Sequence, residues 1–244
     1  MSVRDLITRA RLVGWAAEPS TFHTRVLAGE LGWSGAGLAV AVLDPSFVRD
    51  AASADVFLVP VDGGVGEVPA GDAVIEPVAT LDGEWARVTI ATPPARTLSC
   101  DVARAQAVAA IVLCADALGA AEAALDAAVT HVKAREQWGR PLASLQVVQH
   151  RCADMLIAVT VAEAAVLAAA DADDPVLAAS YCKAAVIERC RRVTASAHQL
   201  AGGQGILADA PFHRWYRRVK MAEPVFGTNR HHRTAIAASL LASP

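Results

Sequence analysis

Apolar residues return every three to four positions through most of the chain after residue 100, and this spacing predicts a series of long helices. Gly139, Pro141, Pro175 and the Gly202-Gly203 pair interrupt the pattern and separate the helices. We predict helices over residues 101–137, 144–172, 175–200, 209–223 and 228–241. Helices of this length joined by short loops are typical of an antiparallel bundle.

The first hundred residues carry a different pattern. Two short helices are predicted over residues 2–16 and 21–31, and the helical period fades from residue 35 onward. Residues 38–43, 56–61, 73–77 and 86–90 are short runs of strand composition, with turn signals at Asp62-Gly-Gly-Val-Gly and Asp82-Gly between them. This segment predicts a small β domain of about four or five strands.

Together the patterns predict a mainly α protein in which a small β domain and short N-terminal helices precede a C-terminal antiparallel four-helix bundle. The predicted domains are residues 1–34 for the N-terminal helical segment, 35–99 for the β domain and 100–244 for the bundle. A chain of 244 residues with 54% apolar residues can bury a core of this size.

Composition and charge narrow the class of protein. The formal net charge is −3, so we expect no nucleic-acid partner. The five cysteines form no CxxC pair, so we expect reduced thiols in a cytoplasmic protein, without disulfides or a metal site. The N-terminus has no apolar signal core, and Asp116 and Glu163 interrupt the most apolar runs, so we expect no membrane span.

The stretch from Arg135 to His150 is the sharpest break in the helical half. Gly139 and Pro141 end one helix, and Ser144 is the candidate N-cap of the next. Arg135 then lies in the last helical turn, where a cation complements the helix dipole. Spacing alone is equally compatible with an ordinary helical hairpin that carries a well-placed arginine.

Three separated motifs give the helical half its family resemblance. They are Arg135-Glu-Gln-Trp-Gly-Arg-Pro-Leu with Leu145-Gln-Val-Val-Gln-His and Ala153-Asp-Met, then Gln199-Leu-Ala-Gly-Gly-Gln-Gly, then Arg214-Trp-Tyr-Arg-Arg-Val-Lys with Phe226-Gly-Thr-Asn. In this order and spacing, the region of about residues 100–242 resembles the C-terminal domain of the acyl-CoA dehydrogenase family. The resemblance implies a four-helix bundle that forms the core of dimers and tetramers and binds FAD across a subunit boundary.

The resemblance also assigns roles to single residues. Arg135 is expected to pair with the FAD pyrophosphate, which suits a planar bidentate donor. Trp138 stands where the family usually has Phe and is expected to pack against the cofactor, or else to fill the space between two helices. Gln199 is expected on the adenine side of the cofactor.

Two backbone features carry the remaining cofactor assignments. Gly202 and Gly203 allow amide groups to approach an anion closely, although such a turn by itself is also an ordinary helix C-cap. Thr228 precedes the last predicted helix, where a hydroxyl and free amides suit a phosphate or a ribose. It can serve at the same time as the N-cap.

The departures from the family pattern concern catalysis. Part of the N-terminal helical domain and the family's Thr-Glu-Pro-x-Ala-Gly-Ser segment are missing, so part of the acyl-CoA pocket is expected to be absent. The catalytic carboxylate usually precedes Gly-Thr in the last motif, where this chain has Phe226. A second branch of the family places it on the first bundle helix, where this chain has Ala109. Glu223 is a poor substitute, and we expect it to be an exposed helix-end carboxylate.

The resemblance implies an FAD-dependent oxidoreductase that forms a double bond between the α and β carbons of an acyl-CoA thioester. Since no catalytic residue is identified, we expect a subunit that lacks its own base, within a homo- or hetero-oligomer with another acyl-CoA dehydrogenase-like chain. An electron-transferring flavoprotein is the expected acceptor. The alternatives are a non-catalytic partner or scaffold subunit, or a relative that uses the fold for another flavin reaction.

Overall fold

The computed structural model describes residues 2–207 and 209–242. The chain divides into two compact units, one built from the residues up to Glu18 and from Ala110 onward, the other from Pro19–Ala109. These limits differ from the domain boundaries expected after residues 34 and 99, because the first helix groups with the helical bundle. The division into three domains stays a prediction.

The first unit is helical. Its elements are α1 (Val3–Ala16), α3 (Val102–Ala134, which continues into this unit from the other), α4 (Gln146–Ala170), α5 (Pro175–Ala201), α6 (Phe212–Ala222) and α7 (Asn229–Ala242). α4 packs along α5, and α6 and α7 pack on the other sides of α5. The connections between α3, α4 and α5 are short, so these three helices run antiparallel in turn. The long helices lie within two or three residues of their predicted limits.

α1 packs closely against α3. A Cβ atom at Gly14 would overlap the carbonyl oxygen of Asp116, and one at Gly119 would overlap that of Arg11, so both glycines let the backbones touch. The Arg11 guanidinium pairs with Glu122 on α3 and with Glu163 on α4. The N-terminal helix is therefore part of the bundle's own packing.

A buried ion pair ties α6 to α3. The Arg218 guanidinium makes two hydrogen bonds of 2.7 Å to the Asp116 carboxylate, and both side chains are almost wholly buried. Arg218 also donates to the carbonyl oxygen of Glu18, and the indole of Trp215 donates to that of Trp15. Since a buried charge is costly without its partner, each side chain requires the other.

The second unit contains α2 (Phe22–Glu30) and two small sheets. Its strands are β1 (Ala39–Ala41), β2 (Val48–Arg49), β3 (Val56–Val61), β4 (Gly64–Pro69), β5 (Ala73–Val78), β6 (Trp85–Ile90) and β7 (Arg96–Ser99). The order is β1-β3-β4-β7 in one sheet and β2-β6-β5 in the other. Only the β1–β3 pair is parallel. Phe57, Val68 and Val88 belong to the apolar core that the two sheets share.

The second unit has seven strands, more than the four or five that were expected: β1, β3, β5 and β6 were predicted, and β2, β4 and β7 were not. Two glycines account for the failure at β4. The glycines at Gly64 and Gly66 indicate a turn, but only Asp62 and Gly63 form one, and the strand begins directly afterwards. Both glycines are needed because a Cβ at Gly64 would overlap the carbonyl oxygen of Leu98 and one at Gly66 would overlap Pro94. Contacts with residues some thirty positions away therefore decide this strand.

Among the residues that the structure describes, two helices are long and apolar enough to span a membrane by length and composition alone. The apolar window of α3 is 94% buried inside the structure, whereas that of α4 is only 28% buried. All five cysteines are free: Cys114, Cys182 and Cys190 are buried, while Cys100 and Cys152 are partly exposed.

Candidate functional site

The segment between α3 and α4 is a tight β-hairpin. β8 (Glu136–Gln137) pairs with β9 (Arg140–Pro141), and the two turn residues, Trp138 and Gly139, have φ of +52° and +74°. Positive φ at both central residues is the pattern of a type I′ turn. Trp138 is 80% exposed, so it does not fill the space between two helices. Its indole is available to a ligand or to another chain.

Arg135 lies immediately after α3 and is exposed. Its amide still donates to His131 within the helical pattern, and its side chain forms no ion pair within the described part of the chain. The prediction that Ser144 caps α4 is wrong. Leu145 occupies the N-cap position, because the Ser144 hydroxyl donates instead to the carbonyl oxygen of Pro141.

Three further predicted cofactor residues, Gln199, Gly202 and Gly203, lie at the end of α5. Gln199 is exposed in the last turn, and Gly202 and Gly203 begin a short 3₁₀ helix, Gly202–Ile206. Gly202 has φ of +57° and is the C-cap of α5. The turn therefore does serve as a helix C-cap, as its sequence also allowed. A Cβ atom at Gly203 would meet nothing within 4 Å. The space beside Gly203 is therefore open to a ligand.

The hairpin and the glycine turn lie at the same end of the bundle. The hairpin follows α3 and precedes α4, and the turn follows α5, which runs antiparallel to α4. Consequently Arg135, Trp138, Gln199, Gly202 and Gly203 are all brought to this end. Together they offer a guanidinium, an exposed indole and a glycine turn with open space beside it, which suit a phosphorylated aromatic ligand.

Thr228 lies elsewhere. Its hydroxyl accepts from the amide of His231, so it is the N-cap of α7. The side chain of its neighbour Asn229 reaches Glu188 on α5. Since Glu188 and Gly202 are fourteen residues apart on one helix, Thr228 lies roughly 21 Å along the helix axis from the glycine turn.

Thr228 borders a cleft of about 490 Å³ between α5, the end of α6 and the start of α7. Four cationic side chains line it, with the carboxylates of Glu188 and Glu223: Lys183, Arg191, Lys220 and Arg230. The Oδ1 atom of Asn229, also in the lining, is buried with no hydrogen-bond partner in the described residues. The cleft thus presents an excess of positive charge and an open acceptor.

Lys183 is the most deeply buried charge of the cleft, with 1% of its surface exposed. Its Nζ donates to the carbonyl oxygens of Ala222 at 2.7 Å and Glu223 at 3.4 Å, at the C-terminus of α6. Burial lowers the pKa of Lys183 to about 8. Sequence reasoning missed this residue, because a lysine inside an alanine-rich helical pattern gives no signal of burial.

Glu223 was expected to be an exposed helix-end carboxylate, and that expectation is wrong. The residue ends α6 as predicted, but its carboxylate is only partly exposed and pairs with Arg191 at 3.1 Å and with Lys220. Arg191 and Lys220 therefore engage both oxygens of the Glu223 carboxylate.

The two positions at which the resemblance leads us to expect a catalytic carboxylate, Phe226 and Ala109, carry no titratable side chain. Phe226 is followed by Gly227, and both have positive φ, +56° and +100°. Ala109 is a buried residue of α3. His232 is buried beside Phe226, and its Nε2 lies 2.9 Å from the carbonyl oxygen of that residue. Nothing in the local sequence pattern indicates this contact.

Comparison with known proteins identifies the family. Residues 102–241 match the family model for the C-terminal domain of acyl-CoA dehydrogenases. This match covers more than half of the chain and contains every predicted cofactor residue. The chain therefore belongs to the acyl-CoA dehydrogenase family, and the predicted fold class is confirmed: a mainly α protein with a C-terminal helical bundle and a small β region.

Similar proteins include an acyl-CoA dehydrogenase, IpdE2, of Mycobacterium tuberculosis. It is 32% identical over 184 residues, which are 75% of this chain and 57% of the relative. An acryloyl-CoA reductase (NADH) of Anaerotignum propionicum is 40% identical over 131 residues, 52% of this chain and 33% of the relative. The chain thus spans little more than half of the first relative's length and a third of the second's.

A solved structure extends the likeness beyond the bundle. A chain of the ChsE4-ChsE5 complex of Mycobacterium tuberculosis matches 99% of this chain with a TM-score of 0.87, and the match covers 81% of that chain. The sequence identity is 23%, so this likeness concerns the fold. It shows that another protein shares the fold.

Proposed function

We propose that this chain is a subunit of an FAD-dependent enzyme of the acyl-CoA dehydrogenase class, and that it contributes cofactor contacts without a catalytic carboxylate of its own. The observation that carries the proposal is a contrast within one structure. The predicted cofactor residues are exposed or lie beside open space. By contrast, Phe226 and Ala109 stand at the two positions where the resemblance leads us to expect the base.

The residues at the end of the bundle fit the cofactor. The Arg135 guanidinium would pair with a pyrophosphate, and the amides after Gly202 would approach it from the glycine turn. Trp138 would pack on an aromatic ring system, with Gln199 on the adenine side. FAD supplies the hydride acceptor of this reaction class. The acyl-CoA thioester is the proposed substrate.

The distance between the two groups of residues supports a shared cofactor. Arg135 is assigned to the pyrophosphate and Thr228 to a phosphate or a ribose, and these groups are neighbours within one FAD molecule. Because Thr228 lies roughly 21 Å along the axis from the glycine turn, one chain cannot readily provide both to the same molecule. Each cofactor would take Arg135 from one subunit and Thr228 from another.

The outer face of α4 supports the oligomer that such sharing requires. Val147, Leu156, Ile157, Val161 and Leu167 are large apolar side chains that remain exposed on this one helix. Several large apolar side chains exposed on one helix are typical of a protein interface. We propose a homo- or hetero-oligomer with another acyl-CoA dehydrogenase-like chain in the cytoplasm, with an electron-transferring flavoprotein as the acceptor.

A second function has a specific observation in its favour. The relative named acryloyl-CoA reductase (NADH) is 40% identical to this chain over 131 residues. A reductive flavin reaction, with a base or acid from another residue, is therefore the alternative. A scaffold subunit without cofactor is the third possibility.

The test is a visible absorption spectrum of the purified chain together with its mass in solution. Stoichiometric flavin on a homo-oligomer would support a complete cofactor site, and acyl-CoA and enoyl-CoA substrates would then be screened with an electron acceptor or NADH. A colourless chain that acquires flavin only when co-expressed with a second dehydrogenase-like chain would support the shared site. A chain that remains colourless in both cases would overturn the proposal.

Two variants make this test specific to the assigned residues. Arg135→Ala is expected to weaken flavin retention in whichever oligomer forms, because it removes the pyrophosphate partner. Glu223→Ala is expected to leave turnover unchanged, since its carboxylate is engaged by Arg191 and Lys220. Loss of turnover in Glu223→Ala with flavin still bound would show that this chain does carry a base.

A further inference from the structure

The hairpin between α3 and α4 has two faces that differ in charge. Its strand pairing places Gln137 opposite Arg140. The amide of Leu142 donates to the carbonyl oxygen of Arg135 at 2.8 Å, so the same ladder continues to this second pair. Side chains alternate between the two faces of a β-ladder, so Arg135, Gln137 and Arg140 share one face. Glu136 lies on the other face.

Two guanidinium groups therefore belong to one face of the hairpin. Arg140 stands diagonally across from Arg135, and diagonal neighbours are separated by about 7–8 Å, within reach of long side chains. Both side chains are exposed, and neither forms an ion pair with any residue that the structure describes. The carboxylate nearest to them along the chain, that of Glu136, belongs to the opposite face. Since like charges repel, the fold itself gains nothing from this arrangement.

The turn of the hairpin carries strain as well. Trp138 has φ of +52°, in the left-handed region where a bulky aromatic residue is strained. Asparagine, aspartate or glycine is the usual residue at this position of a type I′ turn. The indole is 80% exposed, so packing within the chain does not offset the strain. Strain at a turn that carries two unpaired cations points to a binding role.

The base of the hairpin is held firmly. The Ser144 hydroxyl donates to the carbonyl oxygen of Pro141 at 2.8 Å, and the side-chain amide of Gln149 donates to that of Ala143 at 2.8 Å. These bonds tie the second strand of the hairpin to the turn before α4, and that turn to α4 itself. The two arginines thus extend from a fixed backbone, so less conformational freedom is lost when they bind an anion.

We propose that Arg140 is a second phosphate-binding residue, and that Arg135 and Arg140 form a two-arginine clamp for the diphosphate of FAD, with one guanidinium on each phosphate group. A guanidinium offers parallel N–H donors to two oxygens of a phosphate, and a diphosphate carries two such groups side by side. This inference rests on the function proposed above. It adds Arg140, to which the motifs assign no role.

Two ligands of this enzyme class contain a diphosphate, namely FAD and the CoA part of the thioester. The clamp is assigned to FAD because Arg135 carries the cofactor assignment, and because Gln199 and the open space beside Gly203 lie at the same end of the bundle. The diphosphate of CoA is the competing ligand, so the experiment measures both.

The experiment is isothermal titration calorimetry of the flavin-free protein, with its partner chain if one is needed, against FAD and against an acyl-CoA. Arg140→Ala is expected to bind FAD about tenfold more weakly than wild type, the loss typical of a hydrogen bond to a charged group. Its affinity for acyl-CoA should stay unchanged. Arg140→Lys should recover only part of the FAD affinity, because an ammonium cannot bind a phosphate with a planar pair of donors.

Two matched controls separate a specific clamp from general electrostatic attraction. Arg104→Ala removes an exposed arginine at the opposite end of α3 and should bind FAD like wild type. Glu136→Gln changes the charge of the hairpin on its other face and should alter FAD affinity by less than about twofold, since exposed charges are screened. Thermal unfolding of each variant shows whether it is folded.

Three results would overturn the inference. One is an Arg140→Ala variant that binds FAD like wild type. Another is a gain of FAD affinity in Glu136→Gln as large as the loss in Arg140→Ala, because net charge alone would then explain both. The third is a loss of acyl-CoA affinity in Arg140→Ala with FAD affinity unchanged, because the clamp would then belong to the substrate.

Inorganic pyrophosphate separates this inference from the proposed function, because its binding requires no flavin. The chain alone is expected to bind pyrophosphate more tightly than inorganic phosphate, and Arg140→Ala and Arg135→Ala should each lose this preference. If no flavin binds under any condition but the preference depends on Arg140, the proposed function fails and the diphosphate clamp stands. If no flavin binds and the preference is absent or independent of Arg140, both fail.

Discussion

Gly202 and Gly203 are neighbours, but the fold requires only one of them to be glycine. Gly202 ends α5 with φ of +57° and ψ of −137°, a conformation that side chains with a Cβ rarely adopt. Gly203 has open space where a Cβ would stand. A substitution at Gly203 therefore tests for a ligand without disturbing the turn.

We predict that Gly203→Ala leaves the free energy of unfolding nearly unchanged and lowers flavin retention. The added methyl group meets no atom of the chain, but it hinders the close approach of a phosphate to the backbone amides. Equilibrium urea unfolding and flavin content after gel filtration measure the two effects. Gly71→Ala, at an equally open glycine in the β unit, is the control. Full flavin retention in Gly203→Ala would contradict the proposal that this glycine turn binds a phosphate of the cofactor.

At the scale of elements, the packing of α1 on α3 depends on two glycines, Gly14 and Gly119. Neither glycine belongs to a recognisable sequence motif. Gly14 and Gly119 each face the backbone of the opposite helix, and the Arg11 guanidinium bridges to α3 and α4 beside them. The residues involved are more than a hundred positions apart. Helical periodicity predicted α1 correctly but contained no information about its partner.

Gly119→Ala is expected to destabilise the protein by about 1–3 kcal/mol, because the added Cβ overlaps the carbonyl of Arg11 and the helices must separate. Gly29→Ala is the matched control. It also replaces a helical glycine, but nothing lies within 4 Å of its Cβ position. That variant should gain roughly 0.5–1 kcal/mol from helix propensity. Equal effects of both substitutions on urea unfolding would refute the close crossing.

The buried Lys183 at the end of α6 leads to a second prediction about the packing of the helices. Lys183 donates to two terminal carbonyl groups of α6, and its pKa is lowered to about 8 from 10.5. Between these values the unfolded chain binds the proton and the folded chain does not, so stability from this residue rises with pH. The free energy of unfolding of wild type relative to Lys183→Met should therefore increase from pH 7.5 to pH 10.

Urea unfolding at the two pH values checks this, with Lys133→Met at an exposed position of α3 as control. Subtracting the free energy of unfolding of Lys183→Met from that of wild type cancels the contribution of the other titrating groups to the pH dependence. A difference that is the same at both pH values would show that Lys183 is not buried as described.

For the whole molecule, the exposed apolar face of α4 predicts association. Ile157 is 62% exposed in the middle of this face. Ile157→Asp is expected to lower the mass in solution by preventing the oligomer from forming, because a desolvated carboxylate would be unpaired in the interface. Light scattering after gel filtration measures the mass. Val74→Asp, at a strand position with the same exposure of 62%, should leave it unchanged.

Much of the fold could be predicted because it depends on local pattern. The periodicity of α3, α4 and α5 and the break at Pro175 located the long helices to within a few residues. The motifs single out Arg135, Gln199 and Thr228 as candidate site residues, and chain order alone brings the first two to one end of the bundle. Their roles toward a cofactor stay predictions.

The sequence by itself determined the helices, the bundle and the family, because periodicity, breaks and motifs act over a few neighbouring residues. The tertiary structure alone decided which polar groups are buried and which partners they contact. Asp116 with Arg218, Ser180 with His232, and Lys183 with Ala222 are pairs that lie 39 to 102 residues apart. No local pattern records such pairs, since each side chain acquires its environment only when the helices pack together.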